Sequence, residues 1–132
     1  MLAAEEKRPG FIGWYRNPDR AVKESLAIAY EDNHAWKALR PDFLFFTETA
    51  NGVVVDIVDP HGTHLSDALP KLKGLAQFAD NYGGEFRRIE SVAEADGKLR
   101  VLDIGRSAVR EAIARATDAK SLYTSDLADD YK

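Results

Sequence analysis

The side chains able to do chemistry are concentrated in one short part of the chain. Asp56 interrupts a Val/Ile run at residues 53 to 58, Asp59, His61 and His64 follow within eight residues, and Lys71 and Lys73 come next in a segment of helical periodicity. A charge inside a run fit for a buried strand needs compensation, because an apolar interior strongly disfavours an unpaired carboxylate. Asp42 stands directly after Pro41, upstream of that run. A hairpin bringing Asp42 and Asp56 to one end of a sheet would offer two hard oxygen ligands to Mg²⁺, or to Mn²⁺ in its place. Asp59 would be a further metal ligand. Such a cation activates water and neutralises charge as a phosphodiester is attacked. The plain alternative makes Asp42 a turn residue after proline and has Asp56 neutralised by an arginine such as Arg87 or Arg88.

His61 and His64 lie three apart in a loop entering a helix, where neutral imidazole serves as metal ligand or general base. The same Asp-Pro-His-Gly stretch also reads as a turn, with Asp59 accepting backbone N–H groups and Gly62 taking an unusual φ. Lys71 lies about 100° from Leu72 on the helical wheel, at the margin of the apolar stripe, and its flexible stem can reach over the end of a sheet. Upstream, Trp14, Tyr15 and Arg16 combine an indole, a phenol and a guanidinium. They either stack on a base and grip a phosphate or anchor the core beside the first strand.

These residues must be positioned by the elements around them. Residues 25–30 and the aromatic run 41–48 read as strands, and Asn51-Gly52 before the Val-rich run 53–58 is a strong hairpin signal. Leu65, Leu69, Leu72, Ala76 and Ala79 recur at helical spacing, with Pro70 tolerable only in the first turn and Gly83-Gly84 as the stop, so a helix is expected from near residue 66. Residues 85–95 and 98–104 read as two strands about Asp96-Gly97. Ser107 opens a second helix with Val109 and Ile113 facing inward. Register decides which acids meet. A two-residue Asn51-Gly52 turn pairs residue 50 with 53 and sets Asp42 opposite His61, favouring a site of Asp42, Asp59 and His61. A longer loop restores Asp42 with Asp56.

The chain has 132 residues, a formal net charge of −4 and no cysteine. One domain spanning 1–132 is expected, with flexible ends at about 1–10 and 124–132. The absence of cysteine removes thiolate chemistry and fits a reducing compartment, so a cytoplasmic protein is expected. No apolar run approaches a membrane span. The acidic balance argues against a broadly basic nucleic-acid clamp, although residues 7–23 are locally basic.

The run "RPDFLFF", an Asn-Gly turn and "VVVDIVDPHGTHLSDALPKLKGLAQFA", together with "GFIGWYRNPDR" and "RRIESVA", resembles the C-terminal nuclease region of type III restriction endonuclease subunits and related DEAD/DEAH-box helicase proteins. That resemblance covers most of residues 10 to 117. It implies a PD-(D/E)XK-like fold, an α/β domain with a restriction-endonuclease-like mixed sheet flanked by helices. It further implies a metal-dependent DNA endonuclease of a bacterial restriction or phage-defence system, acting beside a helicase/ATPase domain or subunit. On that pattern Asp42 and Asp56 match the metal-binding acids, Val58 stands where the lysine belongs, and Lys71 from the following helix is the substitute, with His64 or Asp59 auxiliary. In the other register Asp59-Pro60-His61 takes the place of acid, spacer and lysine. Trp14, Arg16 and His61 would contact nucleic acid. Val58 and the acidic balance equally suit a catalytically inactive module of that fold, one that binds nucleic acid or scaffolds the complex.

Overall fold

The computed structural model describes residues 1–63 and 66–131. A six-stranded mixed sheet forms its centre, in the order β1-β4-β5-β6-β7-β8. Its strands are β1 (Phe11–Arg16), β4 (Phe43–Thr49), β5 (Gly52–Pro60), β6 (Arg88–Ala95), β7 (Lys98–Asp103) and the short β8 (Asp129–Asp130). β1, β4 and β5 run antiparallel in succession, β5 and β6 are parallel, and β6 and β7 form a hairpin. A parallel pair needs a crossover, and α2 (Ala68–Tyr82) supplies it between β5 and β6. A separate two-stranded hairpin, β2 (Ile28–Asp32) and β3 (Ala35–Leu39), lies against α2. It turns on Asn33 and His34, both at positive φ. α1 (Leu2–Glu6), α3 (Ser107–Arg115) and α4 (Lys120–Thr124) complete the mixed α/β fold.

The period-two alternation of the sheet sorts side chains onto two faces. Ile57, Ile89, Ala93 and Leu102 face the larger core with Leu72 and Leu75 of α2, Val109 and Ile113 of α3, and Leu122 and Tyr123 of α4. Phe45, Val58 and Val92 form a smaller cluster on the opposite face, packed with Met1, Leu2, Phe11, Phe43 and Tyr131. Of the stripe expected for α2, Leu72, Ala76 and Ala79 are buried and Leu69 partly so, Leu65 lies outside the described residues, and Pro70 sits in the first turn. Gly74 is required by packing, since a Cβ there would fall 2.4 Å from the Cβ of Tyr30 in β2.

Among the described residues, both end segments are hydrogen-bonded to the body of the fold. Glu5 is buried and accepts hydrogen bonds from Arg88 and Tyr131. Arg100 reaches the carbonyls of Tyr123, Ser125 and Ala128 and the carboxylate of Asp130. Segment 120–130 contributes few but well-placed apolar groups, and a single arginine meets three of its backbone carbonyls. Among the described residues, no helix is long and apolar enough to cross a membrane.

Candidate functional site

The hairpin register assembles the site. Thr49 pairs with Gly52, so the turn residues are Ala50 and Asn51, one position earlier than an Asn51-Gly52 turn. The cause is local. Of residues 50–52 only Gly52 takes a positive φ, +112°, whereas the tight type I′ turn needs two such residues. The Thr49 hydroxyl further fixes the corner, accepting from the Asn51 amide at 3.3 Å and donating to the Gly52 carbonyl at 2.8 Å. Phe43 therefore pairs with Val58, and Asp42, one residue earlier, lies opposite Asp59.

The Asp42 amide donates to Asp59 Oδ1 at 3.1 Å, joining the ends of β4 and β5 through an acid side chain. Asp59 is buried. Burial raises the pKa of Asp42 above the ordinary carboxylate value, the neighbouring charge of Asp59 raises it further, and Arg16 partly offsets both. Two like charges are thus held together where solvent screens them poorly.

The structure separates Asp42 from Asp56, which corrects the pairing implied by the family pattern. Asp56 pairs with Phe45 and lies on the face of the smaller core, whereas Asp59 lies on the helix-covered face. Fully buried at 0% exposure, Asp56 accepts from Arg87 at both carboxylate oxygens and from Arg88 Nε at 3.0 Å. Arg88 goes on to Glu5 at 2.5 Å and Glu90 at 2.9 Å. The charge in the valine run is compensated by Arg88, which opens β6, and by Arg87 just before it, and both of its oxygens are occupied.

His61 stands two residues beyond Asp59, with its amide bonded to the Val92 carbonyl. Its Nδ1 lies 3.6 Å from Asp59 Oδ2 and 3.4 Å from Ser91 Oγ, and its Nε2 lies 3.3 Å from the Tyr123 hydroxyl. Ser91 and Tyr123 are themselves 2.7 Å apart and buried. Burial raises the pKa of the Tyr123 phenol, the charge of Asp59 adds to this, and the bond to Ser91 opposes it. Acid and serine meet the same ring nitrogen and Ser91 is sealed from solvent, so this is not a charge-relay nucleophile. It is a clamp that fixes the imidazole.

The remaining expected residues are dispersed. Lys71 Nζ lies 3.1 Å from Asp67 Oδ2 in an i,i+4 pair. Burial pushes its amine down, but Asp67, with smaller contributions from Tyr30 and Asp59, holds it above the ordinary value. It therefore stays charged, within electrostatic reach of Asp59 but tied to Asp67. His64 lies outside the described residues. Trp14 and Arg16 lie on edge strand β1 beside Phe43, exposed rather than in the core. Among the described residues, no group of three or more Asp, Glu or His side chains is arranged to hold a metal ion.

A family model described as the YagJ family matches residues 1–132. The chain belongs to the YagJ family. Protein YagJ of Escherichia coli (strain K12) is 56% identical over 132 residues, which is 100% of this chain and 54% of that protein. The chain thus spans about half the length of the curated relative it matches. No solved structure matches.

In this YagJ-family chain, Ser91 and Tyr123 belong to the site yet carry no motif. Ser91 is the polar residue on a strand face otherwise made of Ile89, Ala93 and Ala95, a signal that a polar partner was needed there. Tyr123 sits in α4, just before the acidic segment from about 124 that reads as frayed. Nothing in the local sequence brings it to His61.

Proposed function

We propose that this YagJ-family chain is a PD-(D/E)XK-like, Mg²⁺-dependent phosphodiesterase domain acting on DNA, with Asp42 and Asp59 as the acids and His61 in the lysine's place. One observation carries the reading: the register sets Pro41-Asp42 against Asp59-Pro60-His61 at neighbouring strand ends. The donor set suits the cation, since Mg²⁺ is commonly held by one or two carboxylates, with waters and substrate phosphates completing its shell. A divalent charge would offset both the burial that raises the pKa of Asp42 and the smaller effect of the neighbouring Asp59 charge. When bound, the cation supplies a polarised phosphate and an acidified water. The chain's own residues do the positioning. The Asp42 amide orients Asp59, Ser91 and Tyr123 fix the plane of His61, and Asp56 with Arg87 and Arg88 holds β6 beside β5. A cytoplasmic restriction or defence setting beside a helicase/ATPase domain or subunit follows from the resemblance and belongs to the same proposal.

A second reading, a non-catalytic module that binds nucleic acid or scaffolds the complex, is favoured by one contact set. Both ring nitrogens of His61 face groups of the protein, and Lys71 is engaged by Asp67. Plasmid incubation with Mg²⁺ or Mn²⁺ separates the readings. Nicking lost in Asp42→Asn and Asp59→Asn, with unchanged circular dichroism, supports the enzyme. No nicking by the wild type, together with no Mn²⁺ heat by calorimetry, leaves the module.

A further inference from the structure

The edge of the sheet carries an aromatic cluster that the proposed chemistry does not use. β1 is an edge strand, and Arg16 pairs with Phe43 while Trp14 pairs with Phe45. Trp14 is 43% exposed, unlike a core anchor, and its ring meets Phe43 edge-on at 5.9 Å and 66°. Phe43 is backed in turn by Phe45, stacked at 5.9 Å and 18°. The Arg16 guanidinium lies 5.3 Å over the Phe43 ring, and among the described residues no acidic side chain pairs with it. Phe43 follows Asp42 directly, but its ring belongs to the smaller-core face of the sheet, opposite the face of Asp59. Residues 7–23 carry five Lys or Arg against one Asp, a local excess of positive charge in an acidic protein.

We propose that Trp14, Phe43 and Arg16 form a stacking platform for an unpaired nucleotide, a binding surface for single-stranded nucleic acid on the sheet face opposite the acids. Its binding stands apart from the phosphodiesterase reading and is tested without it. An exposed indole offers a π face that any base can cover, and a duplex presents free base faces only at its ends. A guanidinium resting on a ring keeps its N–H fork for a phosphate. The two contacts together select a base followed by a backbone anion, which neither a peptide nor an apolar surface supplies.

The chain has two tryptophans, so a Trp36→Phe background isolates the emission of Trp14; Trp36 is 74% exposed on β3 and tolerates the change. Titration with oligo(dT), oligo(U) and a blunt duplex of equal length is performed in EDTA. The expected result is quenching by the single strands, with binding at least about 10-fold tighter than to duplex; whichever of oligo(dT) and oligo(U) binds better identifies the sugar. Read by anisotropy of an end-labelled oligonucleotide, which needs no tryptophan, Trp14→Ala weakens binding about 10-fold or more, Trp14→Phe recovers most of it, and Arg16→Ala lowers the log–log salt slope by about 0.7. Unmoved emission at saturating oligonucleotide, equal affinity for duplex, or a folded Trp14→Ala variant that binds like wild type overturns the proposal. No cation is present in the titration. A chain that binds strands and hydrolyses nothing therefore refutes the catalytic reading alone, and one that cleaves duplex without engaging Trp14 refutes this inference alone.

Discussion

Replacing Asp56 by alanine tests whether the buried acid is a structural counter-charge or a metal ligand. Its carboxylate takes three guanidinium hydrogen bonds, two from Arg87 and one from Arg88. Removing one partner of a buried ion pair typically destabilises by about 3–5 kcal/mol, because the other charge is left in low dielectric. Two details set the expectation at the low end. The Arg87 side chain is 37% exposed and water screens it, while Arg88 keeps Glu5 and Glu90 as partners. About 3 kcal/mol, divided by an unfolding entropy of roughly 2.1 cal/mol/K per residue, gives a fall in Tm of about 10 °C for a chain of this length. Differential scanning calorimetry reads the fall, and Mn²⁺ titration of the folded variant at low temperature reads the other role. A variant within about 2 °C of wild type that has lost Mn²⁺ binding would refute the argument and return Asp56 to the site.

Three further outcomes follow from contacts already described. Burial raises the pKa of Glu5, but hydrogen bonds from Arg88 and Tyr131 outweigh it and leave the carboxyl below its ordinary value of 4.5. Its contribution to stability is therefore complete above about pH 4.5 and lost as pH falls through the lower folded value, so urea midpoints should drop in that acid range and Glu5→Gln should flatten the drop. Tyr123→Phe removes a buried hydroxyl shared by Ser91 and His61, with an expected loss of about 1 kcal/mol in chemical denaturation and a shift in the His61 ring ¹⁵N resonances. Gly74→Ala would place its Cβ 2.4 Å from Tyr30, so it should destabilise by about 1–3 kcal/mol and accelerate amide exchange in β2 and β3.

The legible parts of this fold are those set by local pattern. The strand at 41–48, the Val-rich strand, the crossover helix with its proline in the first turn, and the hairpin about Asp96-Gly97 all stand where periodicity and turn residues put them. The strands β1 and β3 were not legible. In β3 the side chains Ala35 to Ala38 are exposed and only Leu39 is buried, so no alternation marks it. For the site, Asp42, Asp59 and His61 were legible as candidates, but their grouping depended on one residue of register. A turn at Ala50-Asn51 instead of Asn51-Gly52 moves the partner of Asp42 from His61 to Asp59. The glycine supplies its positive φ just after the corner rather than within it, and no count of propensities distinguishes the two placements. The alternative that an arginine such as Arg87 or Arg88 neutralises Asp56 proved correct, with both taking part.

The bond from Tyr131 to Glu5 joins positions 126 residues apart. During synthesis the first helix therefore emerges long before its last partner exists. Until β6 appears, the Glu5 carboxylate has Arg8 beside it but neither Arg88 nor Tyr131, and the apolar patch of Met1, Leu2 and Phe43 has no Val92 to pack on. The sheet face that carries Phe45, Val58 and Val92 thus closes only after residue 131 has emerged. A ribosome pausing before that point would hold the face open, and a chaperone would find its binding surface there.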